Sequence, residues 1–129
     1  MNRWLVLFCL INIFTATARK TDEAFRVLQR VSKQSSVPVK LELKKGVGNM
    51  YYEYSVKDGI LHLKGSDNVS LCRGFYDYVK THRLGMYTWS GNNIRLPEEL
   101  PAASSVRVES PFRNHYYFNV CTYGYTMPY

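Results

Sequence analysis

The residues able to do chemistry are spread thinly along this chain. Its carboxylates are Asp22, Glu23, Glu42, Glu53, Asp58, Asp67, Asp77, Glu98, Glu99 and Glu109. Apart from Asp22-Glu23 and Glu98-Glu99 they stand alone. No Cys/His spacing fits a zinc site, so no metal and no cofactor is expected. His62 sits among apolar residues in "ILHLKG", where a histidine is an outward strand residue or a satisfied core one. Asn68-Val69-Ser70 has the form of a glycosylation acceptor but overlaps a helix start. The last fifteen residues, "HYYFNVCTYGYTMPY" (His115–Tyr129), carry six aromatic side chains, a Cys and a Met, and no carboxylate. Chain ends are ordinarily polar. Here Asn119 and Cys121 lie two apart in a β-branched and aromatic run, so as a strand they share one side. On residue type alone such a run with a Cys reads as core.

The net charge of +7 could suggest nucleic acid or an anionic surface. The cations are scattered, however, with only Arg19-Lys20 and Lys44-Lys45 adjacent in the bulk of the chain, which predicts a solvated surface rather than a binding face. No nucleic-acid partner is expected.

The first residues read as an export signal. "MNR" is basic, Trp4–Phe14 is an apolar run of eleven, and Ala16-Thr17-Ala18 fits a small-x-small cleavage site. The run is too short to span a bilayer, so no membrane partner is expected after cleavage at Ala18. Without Arg3 the chain carries sixteen Lys and Arg against ten Asp and Glu, hence +6. Export permits a disulfide between Cys72 and Cys121; two separate thiols fit equally well.

The elements that must position these residues follow from periodicity. Thr21–Ser35 predicts a helix with Phe25, Leu28 and Val31 inward and Val27 beside them, capped by Thr21 or Asp22. Val37–Lys45 alternates strictly and predicts a half-buried strand. Met50–Val56 is a tyrosine-rich strand, Lys57–Gly59 an Asp-Gly hairpin turn, and Ile60–Gly65 a third strand. Three tyrosines in Met50–Tyr54 could stack on sugar rings, but more often pack against helices. Ser66–Gly85 predicts a second helix, capped by Asp67 or Asn68 and ended by Gly85, with Leu71, Phe75, Tyr78, Val79 and His82 on one face. Gly74 in its middle costs about 1 kcal/mol and implies close approach of the sheet backbone. Met86–Pro101 predicts one or two strands turning at Ser90–Asn93. Ala102–Asn114 reads as a connector with one alternating piece, Val106–Glu109. The fold class is therefore α+β: a small sheet of about four strands packed with two helices, followed by an isolated strand.

At this point the chain resembles a family. The run from Gly74 to Met127, with "WSG" (Trp89–Gly91), "LPEELP" (Leu96–Pro101), "SPFR" (Ser110–Arg113) and above all "YYFNVCTYGYTM" (Tyr116–Met127), is similar to the N-terminal region of glycoside hydrolase family 89, the alpha-N-acetylglucosaminidases. The resemblance is looser before Ser66. It implies an α+β domain ahead of a TIM-like barrel that holds the catalytic carboxylates, with "YYFNVC" as the first barrel strand. It divides the chain into a signal at 1–18, an α+β domain at 19–101, a linker at 102–114 and the start of the barrel at 115–129. The family removes terminal α-linked N-acetylglucosamine with retention, which needs two carboxyl groups about 5–5.5 Å apart. None of this chain's carboxylates falls in a matching motif, so the resemblance implies no catalytic residue here.

The resemblance also implies that Asn119 and Cys121 line the pocket for the terminal sugar in a full-length enzyme, with Tyr125 helping to shape it. An amide offers donor and acceptor to sugar hydroxyls, and a thiol a small wall. The partner would be the barrel, docked within the same polypeptide. Glycan would be met only through the whole enzyme, in a secreted, periplasmic or, in a eukaryote, lysosomal setting. A free-standing glycan- or protein-binding module is the other reading; a bare "HYYFNV" strand argues against it, because it would invite aggregation. On this division, ending the chain after Pro101 or Ser105 is expected to improve solubility.

Overall fold

The computed structural model describes residues 21–45 and 48–114. Helix α1 spans Asp22–Ser32, strands β1, β2 and β3 span Val39–Leu43, Tyr51–Lys57 and Ile60–Gly65, and helix α2 spans Asn68–Thr81. Two short strands, β4 (Tyr87–Thr88) and β5 (Gly91–Asn92), and then β6 (Val106–Glu109) complete the order. The α+β class expected from periodicity is the class observed.

The main sheet has four strands in the order β1-β3-β2-β6. Strand β3 pairs in parallel with β1 and antiparallel with β2, and β2 pairs antiparallel with β6. The hairpin between β2 and β3 turns on Asp58 and Gly59, both at positive φ (52° and 71°). That is the backbone a two-residue hairpin turn requires, and Asp-Gly supplies it.

The fourth strand is not the one expected. Met86–Pro101 forms a separate two-stranded hairpin turning at Trp89-Ser90, one residue before the predicted turn. The sheet's edge comes instead from Val106–Glu109, inside the stretch read as a connector. Its register sets Val106 against Tyr54 and Val108 against Tyr52. The sheet therefore runs past Pro101 to Glu109, and the expectation about truncation changes with it. A chain ended after Ser105 loses β6 and bares the β2 edge. It should melt several degrees lower and be recovered in lower soluble yield than a chain ended after Asn114. Equal melting and yield of the two would show that β6 contributes nothing to the sheet.

One face of the sheet is apolar and carries the helices. Leu61, Leu63, Tyr52 and Tyr54 are buried there beneath Leu71, Phe75, Tyr78 and Val79 of α2 and Ala24 and Leu28 of α1. The helix α2 face read from the sequence is the buried one, except that His82 is only half buried, its ring 4.6 Å from that of Tyr78. In α1 the buried line is Ala24, Leu28 and Ser32, with Phe25 and Val31 only partly covered. Ser32 is tolerated inside because its hydroxyl donates to the Leu28 carbonyl at 2.8 Å. Ile94, Leu96 and Leu100, from the irregular stretch after β5, close the core.

Gly74 lets α2 descend onto the sheet. A Cβ there would meet Leu63 Cδ2 and Tyr52 Cδ2 at 3.1 Å and Tyr52 Cβ at 3.2 Å. The crowding comes from core side chains of the sheet rather than its backbone. The tyrosine-rich strand is thus a packing device: Tyr51, Tyr52 and Tyr54 are all at least nine-tenths buried, which leaves no rings standing out for sugar stacking.

The opposite face is charged. Lys64 pairs with Glu42 at 3.5 Å, and Arg107 with Glu53 at 3.8 Å and Glu109 at 3.9 Å. Arg107 also lies over the Tyr51 ring, 3.9 Å from its centre. His62 sits half buried on this face, on the strand beside Ser55 and Lys40.

Asp67 begins α2. Its Oδ1 accepts from the Ser70 amide at 2.7 Å, and its Oδ2 accepts from the Ser66 hydroxyl at 2.9 Å. Burial pushes this carboxyl up, but hydrogen bonds from Ser70, Ser66 and Val69 outweigh burial and hold it below the usual carboxylate range. Asp67→Ala should cost about 1 kcal/mol, lowering the thermal midpoint by about 4–8 °C. The folded carboxyl is more acidic than the unfolded one, so its contribution is present above the ordinary carboxylate pKa and lost as pH falls through the depressed value. The gap between parent and variant should therefore narrow in acid. A gap that stays constant down to pH 2 would contradict this assignment.

Candidate functional site

The residues the sequence singled out for a sugar pocket, Asn119, Cys121 and Tyr125, lie outside the described residues, as does the stretch expected to form the isolated strand. The described part shows what its own polar groups do, and those that are engaged hold the fold. Asp22 pairs with Arg26 at 3.1 Å along α1, and Glu23 accepts from Asn68 at 3.3 Å, tying α1 to the start of α2. Glu42, Glu53 and Glu109 make the charged sheet face described above, and Asp67 caps α2. Among the described residues no group of three or more His, Cys, Asp or Glu is placed to hold a metal. No helix among them is long and apolar enough to cross a membrane.

Asn68, the acceptor residue of the sequon, is half buried, and its Oδ1 is buried without a partner. Ser70, the sequon's hydroxyl residue, is only 6% exposed. In the folded domain this sequence is therefore poorly presented for modification. Cys72 lies half buried on α2, where burial pushes its thiol up and so away from the thiolate needed for nucleophilic work.

Two apolar hollows mark the helix side. One, of about 570 Å³, lies between α1 and α2, lined by Val27, Val31, Cys72, Phe75 and Tyr76 with Tyr87 at its rim. The other, of about 580 Å³, lies between α2 and β6. Its lining includes Met50, Tyr52, Val108 and Pro111 with Val69 and Arg73 of α2, and also the carboxylates Asp67 and Glu109. This second slot was not foreseen from sequence. Its members come from three separate elements, and only Val69, an apolar residue outside the core face of α2, could have signalled it.

The order of elements, the buried tyrosines under a glycine-notched helix and the "LPEELP" stretch, whose Pro101 carbonyl accepts from the Tyr78 hydroxyl, match known proteins. The profile of the alpha-N-acetylglucosaminidase (NAGLU) N-terminal domain matches residues 22–102. The chain belongs to that family. Human alpha-N-acetylglucosaminidase is 36% identical to it over 67 residues, 51% of this chain and 9% of that protein. A family 89 glycoside hydrolase from Clostridium perfringens, solved in complex with PUGNAc, superposes on 97% of this chain with a TM-score of 0.73 and 28% identity, the match taking in 15% of that protein. A second structure of a family 89 glycoside hydrolase from that organism, with 2-acetamido-1,2-dideoxynojirmycin, gives 0.74 and 28%, again over 15% of its length. The chain thus spans between about a tenth and a sixth of the relatives it matches.

Proposed function

We propose that this chain is the non-catalytic N-terminal domain of an exported alpha-N-acetylglucosaminidase. The observation that carries the reading is the family match over 22–102, in a domain whose Asp67, Glu42, Glu53 and Glu109 are committed to capping and ion pairing. A retaining glycosidase needs a nucleophile and an acid/base facing one sugar. In this reading both belong to a barrel that follows the domain in the same polypeptide. Glycans ending in α-linked N-acetylglucosamine are the substrate class, because one Clostridium perfringens relative was solved with GlcNAc-alpha-1,4-galactose described as its substrate. The basic and apolar opening of the chain supports export.

Within such an enzyme Asn119 and Cys121, followed by Tyr125, line the sugar pocket at the start of the barrel, and the α+β domain holds that first strand in place. The isolated chain should release no N-acetylglucosamine from a chromogenic α-N-acetylglucosaminide above a boiled control. Release above that control, abolished when a described carboxylate is changed to its amide, would overturn the assignment of catalysis to another part of the protein.

A further inference from the structure

The β4–β5 hairpin carries an indole that the core does not use. Trp89 at its tip is 84% exposed, with Tyr87 at 58% and Met86 at 53% just before it. Single apolar residues scattered over a surface are ordinary; three within four positions are not. The hairpin is also held firmly at its base. Met86 and Asn93 exchange two bonds, and the Arg95 amide donates to the Leu84 carbonyl at 2.9 Å. The Lys33 ammonium donates to the Asn92 carbonyl at 3.1 Å, and the Asn92 side-chain amide donates to the Val31 carbonyl. A Trp on a stiff arm has little motion to lose when something covers it, which is what a contact residue needs.

The surroundings indicate what covers it. Met86, Thr88, Ser90, Gly91, Asn92 and Asn93 line a cleft of about 390 Å³ along the hairpin. That lining holds hydroxyls and amides and no charged side chain. The Thr88 hydroxyl donates to the Gly91 carbonyl at 3.2 Å and lies 3.1 Å from the Ser90 hydroxyl, so lone pairs remain on these oxygens to accept with. Asn93 is exposed; its Oδ1 accepts from the Met86 amide, and its Nδ2 can donate. A phosphate or an acidic peptide would call for Lys or Arg in the lining, and a protein surface for a more apolar one. A neutral pyranose fits: its C–H face packs flat on an aromatic ring, and its hydroxyls bond to hydroxyls and amides. We propose that the tip of the β4–β5 hairpin is a binding platform for neutral sugar residues, with Trp89 as the stacking ring. Binding rests on this geometry alone. That the sugar belongs to the glycan the enzyme degrades rests on the reading above.

Trp4 and Trp89 are the two tryptophans of the chain, so the full chain with Trp4→Phe reports the tip alone by fluorescence. Its emission should shift to the blue and saturate as GlcNAc-alpha-1,4-galactose is added, with a Kd on the order of 1 mM for so open a site. Maltotriose tests a neutral sugar without an N-acetyl group, and inorganic phosphate an anion. A response to either sugar supports the platform; a response to the disaccharide alone also ties it to that glycan. No saturable response to either sugar up to about 50 mM would overturn it. An equal response to phosphate would do the same. So would a spectral shift that grows with protein concentration in the absence of sugar, which would name a second copy as what covers the tip.

Saturation-transfer NMR extends the comparison to variants that lack the indole. Trp89→Ala should weaken binding of the disaccharide at least about tenfold, and Trp89→Tyr only about threefold. Because the ring is 84% exposed, Trp89→Ala should melt within about 4 °C of the parent, so lost binding is not lost folding. Undiminished transfer to the sugar in Trp89→Ala would overturn the proposal. None of these results depends on whether a barrel follows, so the platform can fail while the family reading stands.

Discussion

Gly85→Ala should destabilise this domain by about 3 kcal/mol or more, the sum of backbone strain and a clash that cannot relax. Gly85 holds φ at 135°, a region that residues with a Cβ rarely enter. A Cβ built there would stand 2.5 Å from Ile94 Cα, 2.7 Å from the Asn93 carbonyl oxygen and 2.9 Å from the Ile94 amide nitrogen. All three are backbone atoms of a stretch that cannot give way. Ile94 is 2% exposed, its amide donates to Asn92 Oδ1 at 3.0 Å, and Asn93 exchanges bonds with Met86 on both sides. The midpoint of thermal unfolding should fall by about 10 °C or more. Gly59→Ala is the matched control. It also has positive φ, at 71°, but nothing lies within 4 Å of its would-be Cβ. It should cost only about 1 kcal/mol. Similar losses for both would show that the approach of Ile94 to Gly85 is not what the position requires.

Tyr78 carries the second large effect. It is fully buried, meets the Tyr54 ring edge-on at 5.8 Å, and donates its hydroxyl to the Pro101 carbonyl at 2.8 Å. That bond ties α2 to the "LPEELP" stretch. Tyr78→Ala should cost about 3–5 kcal/mol through the cavity it leaves. Tyr78→Phe keeps the packing but strands the Pro101 carbonyl, at about 1–3 kcal/mol. Burial, with the neighbouring Tyr54, pushes the Tyr78 phenol up to about 12. Folding therefore favours the neutral form. The contribution is whole below the unfolded phenol's pKa near 10 and is lost as pH rises toward 12. The parent should lose stability over that window, and Tyr78→Phe should lose less. Parallel curves from pH 9 to 12 would contradict this account of the phenol.

Local patterns of the chain were legible where the period was strong. Alternation placed β1 within Val37–Lys45, Asp-Gly placed the hairpin, and the spacing Leu71, Phe75, Tyr78, Val79 gave the buried face of α2. What escaped was decided by long-range pairing. Val106–Glu109 is short and flanked by Ser and Pro, so nothing local says that it pairs with β2; its partners Tyr52 and Tyr54 lie some fifty residues earlier. Gly85 was read as the stop of α2, yet the helix ends at Thr81 and Arg83 already turns left-handed, at φ 56°. Gly85 serves Ile94 instead, a contact no helix-end rule contains. The slot followed from the same gap, since it exists only because β6 joins the sheet. Asn119, Cys121 and Tyr125 rest on the family motif and on residue type, and fall outside the described residues.

The central claim is that this domain serves a glycosidase whose catalytic carboxylates lie in a following barrel. Sequencing the gene and its transcript across and beyond the Tyr129 codon tests it most directly. A continuous frame is expected to run from "YYFNVCTYGYTM" into a tryptophan-rich segment and a barrel-length coding region. A verified stop after Tyr129, with no such frame in any register, would contradict it.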